Sequence, residues 1–547
     1  MTASAHIDTF TRDNLPARGV QPTFTFTLPE LQYPARINCV AELLDHWVVQ
    51  GEGQRPCIVS PAETLSYAQL QERVNRIANV LTRDLGMVPG NRVLLRAPNN
   101  PMMAAAWLAV VKAGGVAVAT MPLLRAKELC YPIEKARIAL ALCDSRLNEE
   151  MDKAKAQRAE LKRIVYWNGA DGELDTLMRQ PGYERFAACD TAAEDICLIA
   201  FTSGTTGEPK GTMHNHRDML ATCDSYGRHV LQAQASDRFI GSPPLAFTFG
   251  LGGHLLFPLR IGASTVLIEK ASPDDFMAAI EQFKATVCFT APTAYRAMLP
   301  KLAGRDMSSL RKCVSAGETL PKATFDAWHA ATGIRILDGI GSTEMLHIFI
   351  GSPEGETRPG STGRAVPGYE ARVIDDAGKE MPHGTPGRLA VRGPTGCRYL
   401  ADVRQTNYVQ EGWNVTGDTY SMDADGYFWY HARSDDMIIS SGYNIAGPEV
   451  EAALLTHPAI AECGVVGAPD AERGMIVKAY VVLRAGHNGD ATLTKTLQDH
   501  VRATIAPYKY PRAIAYVEAL PKTQTGKLQR FELRRMAATN AEHKLAS

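Results

Sequence analysis

Short apolar runs alternate with longer stretches of helical pattern over most of this chain. The runs include RVLLRAP, GVAVATM, IALALCD, ASTVLIE and ATVCFTA. Strands that are buried on both faces are typically such continuous runs of Val, Ile, Leu and Ala. The alternation therefore predicts a parallel sheet covered by helices on both faces, continuing to about residue 430. At 547 residues, the chain is too long for one core and should form at least two domains.

The pattern changes beyond residue 420. The segment YSMDADGYFWYHARSDDMIISSGYNI has a DADG turn between two strand-like runs, which indicates antiparallel pairing. After it, PEVEAALLTHPAIAECGVVGAPDAERGMIVKAYVVLR has the pattern of a helix, a strand, a loop and a strand. We therefore predict a large α/β N-terminal domain over residues 1–434 and a small α+β C-terminal domain over residues 435–547.

Charge and cysteine usage exclude several classes of protein. The formal net charge is −1, so there is no overall electrostatic case for a nucleic-acid or membrane partner. The 11 cysteines are isolated and form no Cys-x-x-Cys pair, and the N-terminus has no export signal. These features predict reduced thiols and a cytoplasmic location.

Two local features suggest other readings, which we disfavour. The apolar stretch from Met103 to Met121 is broken by Lys112 and two glycines, so we predict a buried helix, a turn and a strand rather than a membrane span. His214 and His216 in MHNHR have no third ligand at metal spacing. We therefore expect no metal site there.

The sharpest motif is FTSGTTGEPKG at residues 201–211, which follows the apolar run ICLIA. Six small residues in a row allow the backbone to approach a ligand closely, and successive N–H groups in such a turn bind anions. Lys210 adds a positive charge. The spacing differs from that of a Walker A loop, and a Gly/Ser/Thr cluster can also be a plain surface loop.

This loop resembles the signature phosphate loop of the adenylate-forming superfamily, which includes acyl- and aryl-CoA ligases, luciferases and the adenylation domains of peptide synthetases. The resemblance begins near LSYAQL (65–70) and extends almost to the C-terminus. Six further signatures follow in the order of that superfamily: SAGE (315–318), DGIGSTE (338–344), VTGD (415–418), RSDD (433–436), SGY (441–443) and PKTQTGK (521–527). The resemblance implies a large N-terminal domain of layered α/β subdomains and a small, mobile C-terminal domain.

The resemblance implies an acid–CoA ligase that uses ATP, Mg²⁺ and coenzyme A. A carboxylate attacks the α-phosphate of ATP, and the enzyme must stabilise the charge that develops there. Thr343 would contact the α-phosphate, and Glu344 would hold Mg²⁺. The β- and γ-phosphates would be bound by Thr202, Ser203, Gly204, Thr205, Thr206 and Gly207.

The remaining nucleotide contacts are also implied by the matched motifs. Asp418 would accept hydrogen bonds from the ribose hydroxyls, which Arg433 would also reach. The adenine would be flanked by Ala316, Gly317, Glu318, Asp338 and Gly339.

The C-terminal domain would supply residues for both half-reactions. Lys527 matches the lysine that reaches the carboxylate and the α-phosphate during adenylation, with Asp435 at the hinge. Ser441, Gly442 and Tyr443 match the face that lines the coenzyme A tunnel, where a glycine leaves room for a thin chain.

The expected acid pocket lies between residues 244–253 and 338–347. PPLAFTFGLGG should place Phe247 and Phe249 on one side of an extended segment, with Thr248 between them. Aromatic side chains facing glycine backbone form a slot for a planar ring. We predict that this slot is lined by Phe247, Thr248, Phe249, Gly250, Gly339, Ile340, Gly341 and His347.

Within the superfamily, the pocket segments look most like those of benzoate and 2-aminobenzoate CoA ligases. Benzoate ligases tend to carry a small apolar residue where Thr248 stands. Because a buried hydroxyl without a partner costs about 1–3 kcal/mol, Thr248 favours an acid with a polar ortho substituent. The prediction is a 2-aminobenzoate–CoA ligase serving aromatic acid catabolism.

Other functions stay open at this point. The nearest alternative is a benzoate–CoA ligase. A medium-chain fatty acid–CoA ligase, or a stand-alone adenylation enzyme that loads a carrier protein, would share the first half-reaction. An inactive nucleotide-binding protein of the same fold is the alternative from another class, and a homodimer is left open.

Overall fold

The computed structural model describes residues 2–169, 172–202, 209–433, 436–440, 443–470, 474–505, 507–523 and 526–545. At positions 439, 443, 444, 474 and 539–545 the backbone alone is described. The predicted domain boundary between residues 434 and 435 falls outside these ranges.

The strands alternate with helices as the sequence predicts. In chain order, the strands are β1 (Pro56–Val59), β2 (Thr64–Ser66), β3 (Arg92–Arg96), β4 (Val116–Thr120), β5 (Leu140–Asp144), β6 (Arg163–Trp167), β7 (Ile196–Phe201), β8 (Gly211–Asn215), β9 (Arg238–Gly241), β10 (Ser264–Val266), β11 (Val287–Thr290), β12 (Lys312–Ser315), β13 (Ile336–Gly341), β14 (Ile348–Gly351), β15 (Arg364–Ala365), β16 (Glu370–Ile374), β17 (Gly387–Arg392), β18 (Val409–Gln410), β19 (Trp413–Met422), β20 (Phe428–Arg433), β21 (Ile438–Ser440), β22 (Tyr443–Ile445), β23 (Ile460–Asp470), β24 (Gly474–Leu483) and β25 (Ala513–Tyr516).

The α-helices are concentrated before residue 335 and after residue 446. They are α1 (Phe10–Asp13), α2 (His46–Val49), α3 (Tyr67–Asn79), α4 (Pro101–Lys112), α5 (Ala126–Lys135), α6 (Asn148–Gln157), α7 (Glu173–Leu177), α8 (His216–Thr222), α9 (Thr248–Leu251), α10 (Phe257–Arg260), α11 (Pro273–Phe283), α12 (Pro292–Met298), α13 (Lys322–Thr332), α14 (Gln405–Tyr408), α15 (Gly447–Leu455), α16 (Ala491–Thr504) and α17 (Arg530–Leu545).

Two largely parallel sheets form the large N-terminal domain. Their strand orders are β6-β5-β3-β4-β7-β8 and β15-β14-β13-β12-β11-β9-β10-β1-β2. On β3, Val93 and Leu95 pack into one apolar cluster and Leu94 packs into another. On β11, Phe289 joins the same cluster as Val93, so this core lies between the two sheets. Alternate residues of one strand point to opposite faces, so both faces are buried, as predicted.

The predicted extent of the alternation is wrong. It ends near residue 351, because β16, β17, β18, β19 and β20 pair antiparallel in a third sheet. The predicted DADG hairpin is confirmed within this sheet as β19 and β20.

The C-terminal part is the predicted small α+β domain. Helix α15, strand β23 and strand β24 follow one another, and β25 joins the same sheet. Its core is packed around buried side chains such as Val465 and Val481.

The apolar stretch near residue 110 is confirmed as helix α4, a turn and strand β4. Lys112 is buried, and its ammonium donates to Asp45 and Asn75. Within the described residues, no helix combines the length and the apolar character that a membrane crossing requires.

Candidate active site

The base of the phosphate loop is closed by two residues that the sequence singles out. Strand β7 ends at Phe201 and strand β8 begins at Gly211, so the loop connects two antiparallel neighbours. The backbone N–H of Thr202 donates to the carbonyl oxygen of Lys210 at 2.9 Å, and the N–H of Lys210 donates to the Thr202 hydroxyl at 3.1 Å. The tip, with Ser203, Gly204, Thr205, Thr206 and Gly207, lies outside the described residues.

Lys210 and Glu344 meet directly although 134 positions separate them. The Lys210 ammonium donates to Glu344 Oε1 at 3.1 Å and to the Tyr399 hydroxyl at 2.7 Å, and this hydroxyl donates to the same Oε1 at 2.5 Å. Burial acts to raise the pKa of Glu344, but Lys210 and Tyr399 hold it below its ordinary value. The result is a buried carboxylate that stays ionised.

Tyr399 is a site residue that sequence reasoning missed. It lies in GCRYL, which contains no phosphate-binding pattern. Its place in the site comes from the pairing of its segment with β8, where Thr212 and Tyr399 form an antiparallel bridge. A short string of this kind gives no signal by which Tyr399 could have been found.

Thr343 and Glu344 lie in a tight turn between β13 and β14. The Ser342 hydroxyl accepts from the Met345 N–H at 3.2 Å, which closes the turn. Leu346 has φ of 70°, a left-handed conformation that a branched residue adopts at a cost of about 1–3 kcal/mol. Strain of this kind persists where surrounding contacts fix the backbone.

The residues expected at the ribose are paired across a hairpin. Asp418 on β19 lies opposite Arg433 on β20, and the guanidinium donates to the Asp418 carboxylate at 3.3 Å. Burial raises the pKa of Asp418, and Arg433 offsets part of this rise. A half-exposed guanidinium and a buried carboxylate thus face the same space.

The residues expected at the adenine occupy the ends of neighbouring strands β12 and β13. Burial raises the pKa of Asp338 to about 8, and its Oδ1 has no partner among the described residues. The Glu318 carboxylate accepts from the Thr293 N–H at 3.3 Å, and burial raises its pKa. Ala316, Gly317 and Gly339 lie beside these two acids in the chain.

Lys527 reaches this part of the site from the small domain. Its own turn is closed by the Thr523 N–H, which donates to the Lys527 carbonyl oxygen at 2.7 Å. Burial lowers the pKa of Lys527, and the nearby carboxylates of Glu318 and Asp418 act in the opposite direction. The structure therefore brings Lys527, Glu318, Asp418 and Arg433 together.

The predicted extended segment at Phe247–Phe249 is wrong. Helix α9 begins at Thr248 and passes through a π-helical turn at Gly252–Leu256 directly into α10. A Cβ at Gly250 would collide with the Pro244 carbonyl oxygen, so this helix needs its glycine for close packing. Such π turns occur often at functional sites.

An aromatic cluster surrounds His347, and only part of its membership matches the slot predicted from the sequence. The buried His347 ring is surrounded by Phe257 at 4.6 Å, Tyr226 and Phe249 at 5.6 Å, and Phe289 at 6.4 Å between ring centroids. Among the described residues, Phe247 takes part in no such ring contact. Phe249 therefore lines the slot, together with three rings that the sequence did not single out.

The glycines predicted to face the aromatic side chains of the acid pocket serve instead to pack β14 against β13. A Cβ on Gly339 would stand 2.7 Å from Ile348 Cγ2, and one on Gly341 would stand 2.6 Å from the His347 carbonyl oxygen. Their missing side chains allow β14 to fold back on β13, with Ile340 between them. The glycines thus position His347 rather than open a slot on their Cβ side.

Several polar atoms of this slot lack a partner. The Tyr226 hydroxyl makes no hydrogen bond to a described residue, and the His347 ring nitrogens make none of ordinary length and angle, although the Phe249 backbone lies close enough to act on the pKa of the ring. Burial lowers the pKa of His347 to about 3, so the ring is neutral. Thr248 is buried next to this cluster, at the start of α9.

The predicted hinge and tunnel residues are largely outside the description. Asp435, Ser441 and Gly442 are not described, and the backbone of Tyr443 begins strand β22. Next to the predicted hinge, Asp436 pairs with Arg534 and lies 3.8 Å from Arg530, both in the last helix.

The two histidines of MHNHR have separate surroundings. His214 Nε2 lies 2.7 Å from the Thr343 carbonyl oxygen. His216 lies with Cys39 and Cys197 in a buried group whose ligand atoms are within 4.8 Å of one another. Because the Cys39 N–H donates to His216 Nδ1 at 3.2 Å, the lone pair of that nitrogen is already engaged.

Family models match most of the chain. The model described as AMP-binding enzyme matches residues 44–399, and the one described as AMP-binding enzyme C-terminal domain matches residues 449–527. A benzoate–CoA ligase from Thauera aromatica is 35% identical over 514 residues, which cover 93% of this chain and 98% of that protein.

Two solved structures are similar over nearly the whole chain. The anthranilate CoA ligase AuaEII in complex with anthranoyl-AMP has a TM-score of 0.90 and 36% identity, and the match covers 94% of this chain and all (100%) of that one. A benzoate CoA ligase from Burkholderia xenovorans LB400 has a TM-score of 0.82 and 32% identity, and the match covers 91% of this chain and 100% of that one.

Proposed function

Since this chain belongs to the family of AMP-binding enzymes and is an AMP-forming aryl-acid–CoA ligase, we propose that the acid it activates is 2-aminobenzoate. In this proposal the ring of the acid packs against the aromatic cluster around His347, with its amino group towards the unpartnered polar atoms of that cluster.

One observation carries this choice of acid. The Tyr226 hydroxyl and both ring nitrogens of His347 are buried polar atoms without a hydrogen-bond partner among the described residues, inside an otherwise aromatic cluster. An unsatisfied buried polar group costs about 1–3 kcal/mol, so an acid that provides hydrogen bonds binds better than plain benzoate. The neutral His347 ring can accept from an amino N–H through one nitrogen.

The two similar structures also favour 2-aminobenzoate over benzoate as the acid. The enzyme solved with anthranoyl-AMP is more similar to this chain in both TM-score and identity than the benzoate ligase is. Benzoate is the alternative, because the curated relative from Thauera aromatica acts on it.

For the first half-reaction, we assign roles to the groups around the phosphate loop. Lys210 neutralises charge at the loop and keeps Glu344 ionised and oriented. Lys210 and Tyr399 both donate to Glu344 Oε1 and hold the carboxylate ionised, so it fits Mg²⁺, which takes only one or two protein carboxylates. When bound, Mg²⁺ neutralises charge on the phosphate oxygens.

Lys527 carries the charge that the transferring carboxylate and the α-phosphate need. The acid's oxygen bonds to the α-phosphorus, the bond to the pyrophosphate oxygen breaks, and the ammonium stabilises both oxygen charges. Thr343 donates to the α-phosphate. The ribose hydroxyls donate to Asp418, and Asp338 accepts from the adenine amino group.

For the second half-reaction, we propose that the small domain turns about Asp435. Lys527 would leave the site, and Ser441, Gly442 and Tyr443 would line the path of the pantetheine arm. The thiol sulfur then bonds to the acyl carbon, AMP leaves with the carboxyl oxygen, and the thiol proton is released. If a crosslink that fixes one domain orientation left both half-reactions intact, this turn would be excluded.

The experiment compares release of pyrophosphate and AMP from ATP and Mg²⁺ with 2-aminobenzoate, benzoate, 2-hydroxybenzoate, phenylacetate and octanoate, with and without CoA. We expect the highest CoA-dependent kcat/KM with 2-aminobenzoate. A higher value with benzoate would overturn the choice of acid, and turnover confined to octanoate would overturn the aromatic slot. The same preparation, run by size-exclusion chromatography with light scattering, tests whether the chain forms a homodimer.

A further inference from the structure

A buried polar chain lies directly behind the Thr343–Glu344 turn. His214, in the middle of strand β8, is fully buried, and its Nε2 lies 2.7 Å from the Thr343 carbonyl oxygen. A carbonyl oxygen can only accept a hydrogen bond, so Nε2 carries a hydrogen and donates it. The contact reaches the backbone of the residue proposed to bind the α-phosphate.

The other side of the His214 ring faces a carboxylate. Nδ1 lies 3.4 Å from Asp218 Oδ2, and the Arg398 guanidinium donates to the same oxygen at 2.7 Å. Asp218 is fully buried, which acts to raise its pKa, but Arg398 and His214 lower it to about 2. Asp218 is therefore ionised, and its carboxylate packs against the Nδ1 side of the ring, opposite the contact with Thr343.

Helix α8 fixes Asp218 in this position. Asn215 caps the helix, its side chain accepts from the Asp218 N–H at 2.9 Å, and the Asp218 carboxylate accepts from the Asn215 N–H at 3.3 Å. This reciprocal cap satisfies two backbone donors and leaves the carboxylate little freedom to turn.

The segment 397–400 connects this chain to the Glu344 side of the turn. It runs along β8, with the Met213 N–H donating to the Arg398 carbonyl and the Leu400 N–H donating to the Gly211 carbonyl, both at 2.8 Å. Arg398 reaches Asp218, whereas the next residue, Tyr399, reaches Glu344. Neighbouring residues of an extended segment point to opposite sides. The segment 397–400 thus supports the Thr343–Glu344 turn from two sides, through Arg398 and Asp218 on one side and through Tyr399 on the other.

We propose that His214, held by Asp218 and Arg398, is a positioning residue that orients the Thr343–Glu344 turn toward the α-phosphate of ATP. The proposal depends on the roles assigned above to Thr343 and Glu344 but not on which acid is used. A catalytic group displaced by about 1 Å can lose about 10²-fold in rate, so one buried hydrogen bond to this turn has a large effect.

The test compares His214→Leu, which removes the donor, with His214→Gln, whose side-chain amide can still donate to Thr343. Adenylate formation is measured as pyrophosphate release, and thioester formation is measured separately from preformed acyl-adenylate and CoA. For His214→Leu we expect kcat of adenylation to fall about 10²-fold, with KM for the acid and the thioester rate close to wild type. His214→Gln should recover most of the lost rate.

His216→Leu is the matched control, because His216 is also buried and lies two residues further along but contacts Cys39 rather than the turn. Its ratio of the two half-reaction rates should equal that of the wild type. Equal losses in both half-reactions for His214→Leu, or no recovery with His214→Gln, would reduce His214 to a structural residue. If His214→Leu does not fold, the same two assays are run on Asp218→Asn. This change keeps the His214 ring but weakens its contact with residue 218, so adenylation should again fall more than thioester formation. Wild-type protein inactive on every aryl acid would instead contradict the proposed function.

Discussion

The ammonium of Lys527 lies against the backbone of Gly317, where a Cβ would stand 3.7 Å from Nζ. Gly317 has φ of +88°, a conformation that favours glycine. The contact joins the small domain to the turn after β12, next to the residues proposed to bind the nucleotide. In the function proposed above, this is the arrangement that adenylation needs.

Replacing Lys527 should separate the two half-reactions. Lys527→Ala removes the cation at the α-phosphate, so we expect adenylate formation to fall by about 10²–10³-fold. Thioester formation from preformed acyl-adenylate should keep its rate, because the proposed turn of the small domain withdraws the lysine in that step. Lys522→Ala is the control, since Lys522 pairs with Glu462 at the edge of the small domain. Equal losses in both steps would contradict this assignment.

The pH dependence of adenylation should reflect the lowered pKa of Lys527. Desolvation lowers this pKa below the ordinary value of 10.5, and in the proposed reaction the charged form is the active one. Adenylation should therefore decline as the pH rises through this lowered value, while thioester formation is unaffected. Lys527→Arg keeps its charge at every pH that the protein tolerates, so its profile should lack the alkaline decline. A decline that survives in Lys527→Arg would assign it to another group.

Asp338 should contribute to ATP binding through one oxygen that accepts a hydrogen bond. Asp338→Asn keeps an acceptor in a side chain of the same shape, so we expect KM for ATP to change by less than about threefold. Asp338→Leu removes the acceptor and should raise KM for ATP by about tenfold or more, since about 1–3 kcal/mol is lost. The measurement is initial rate against ATP concentration at saturating acid. Equal effects of the two changes would exclude an adenine contact.

Thr248 should discriminate between acids. Thr248→Ala removes the hydroxyl and should lower kcat/KM for 2-aminobenzoate by about tenfold, with a smaller effect on benzoate. Thr248→Val keeps the branched shape without the hydroxyl and should show the same selectivity change. Parallel losses on both acids would contradict a contact with the ortho substituent.

Buried histidine should make the large domain sensitive to acid. Burial lowers the pKa of His347 to about 3, below the 6.5 of the unfolded chain, so the unfolded state binds more protons between these values. Its stabilising effect is present above pH 6.5 and is lost as the pH falls towards 3, by up to about 1.4 kcal/mol per pH unit. Thermal unfolding midpoints of His347→Phe should fall less steeply with acid than those of the wild type. Identical slopes would show that His347 is not the titrating group.

The groups on recognisable motifs could be predicted from the sequence. Lys210, Glu344, Asp418 and Arg433 belong to short strings, and the structure brings them together in pairs. Tyr399 and His214 could not be predicted, because their importance comes from one segment pairing with β8 across nearly two hundred residues. Long-range pairing leaves no mark in local composition.

The helix at Thr248 was missed for a different reason. Three glycines in FTFGLGG have low helix propensity, which favours an irregular or extended segment. The fold overrides this preference, since a Cβ at Gly250 or Gly252 would collide with the Pro244 carbonyl or the His347 ring. Tertiary packing requires glycine in a helix here, and local sequence cannot indicate that requirement.

The rings around His347 come from the π turn after α8, from α9 and α10, and from β11. The charged groups proposed to act on ATP come from other elements: the phosphate loop, the β19–β20 hairpin and the small domain. The two sets share only the β13–β14 hairpin. During evolution, a substitution in one ring can therefore change which acid is accepted while the nucleotide chemistry is inherited intact. Related enzymes that activate different acids can therefore arise from a common ancestor by a few point mutations around this ring cluster.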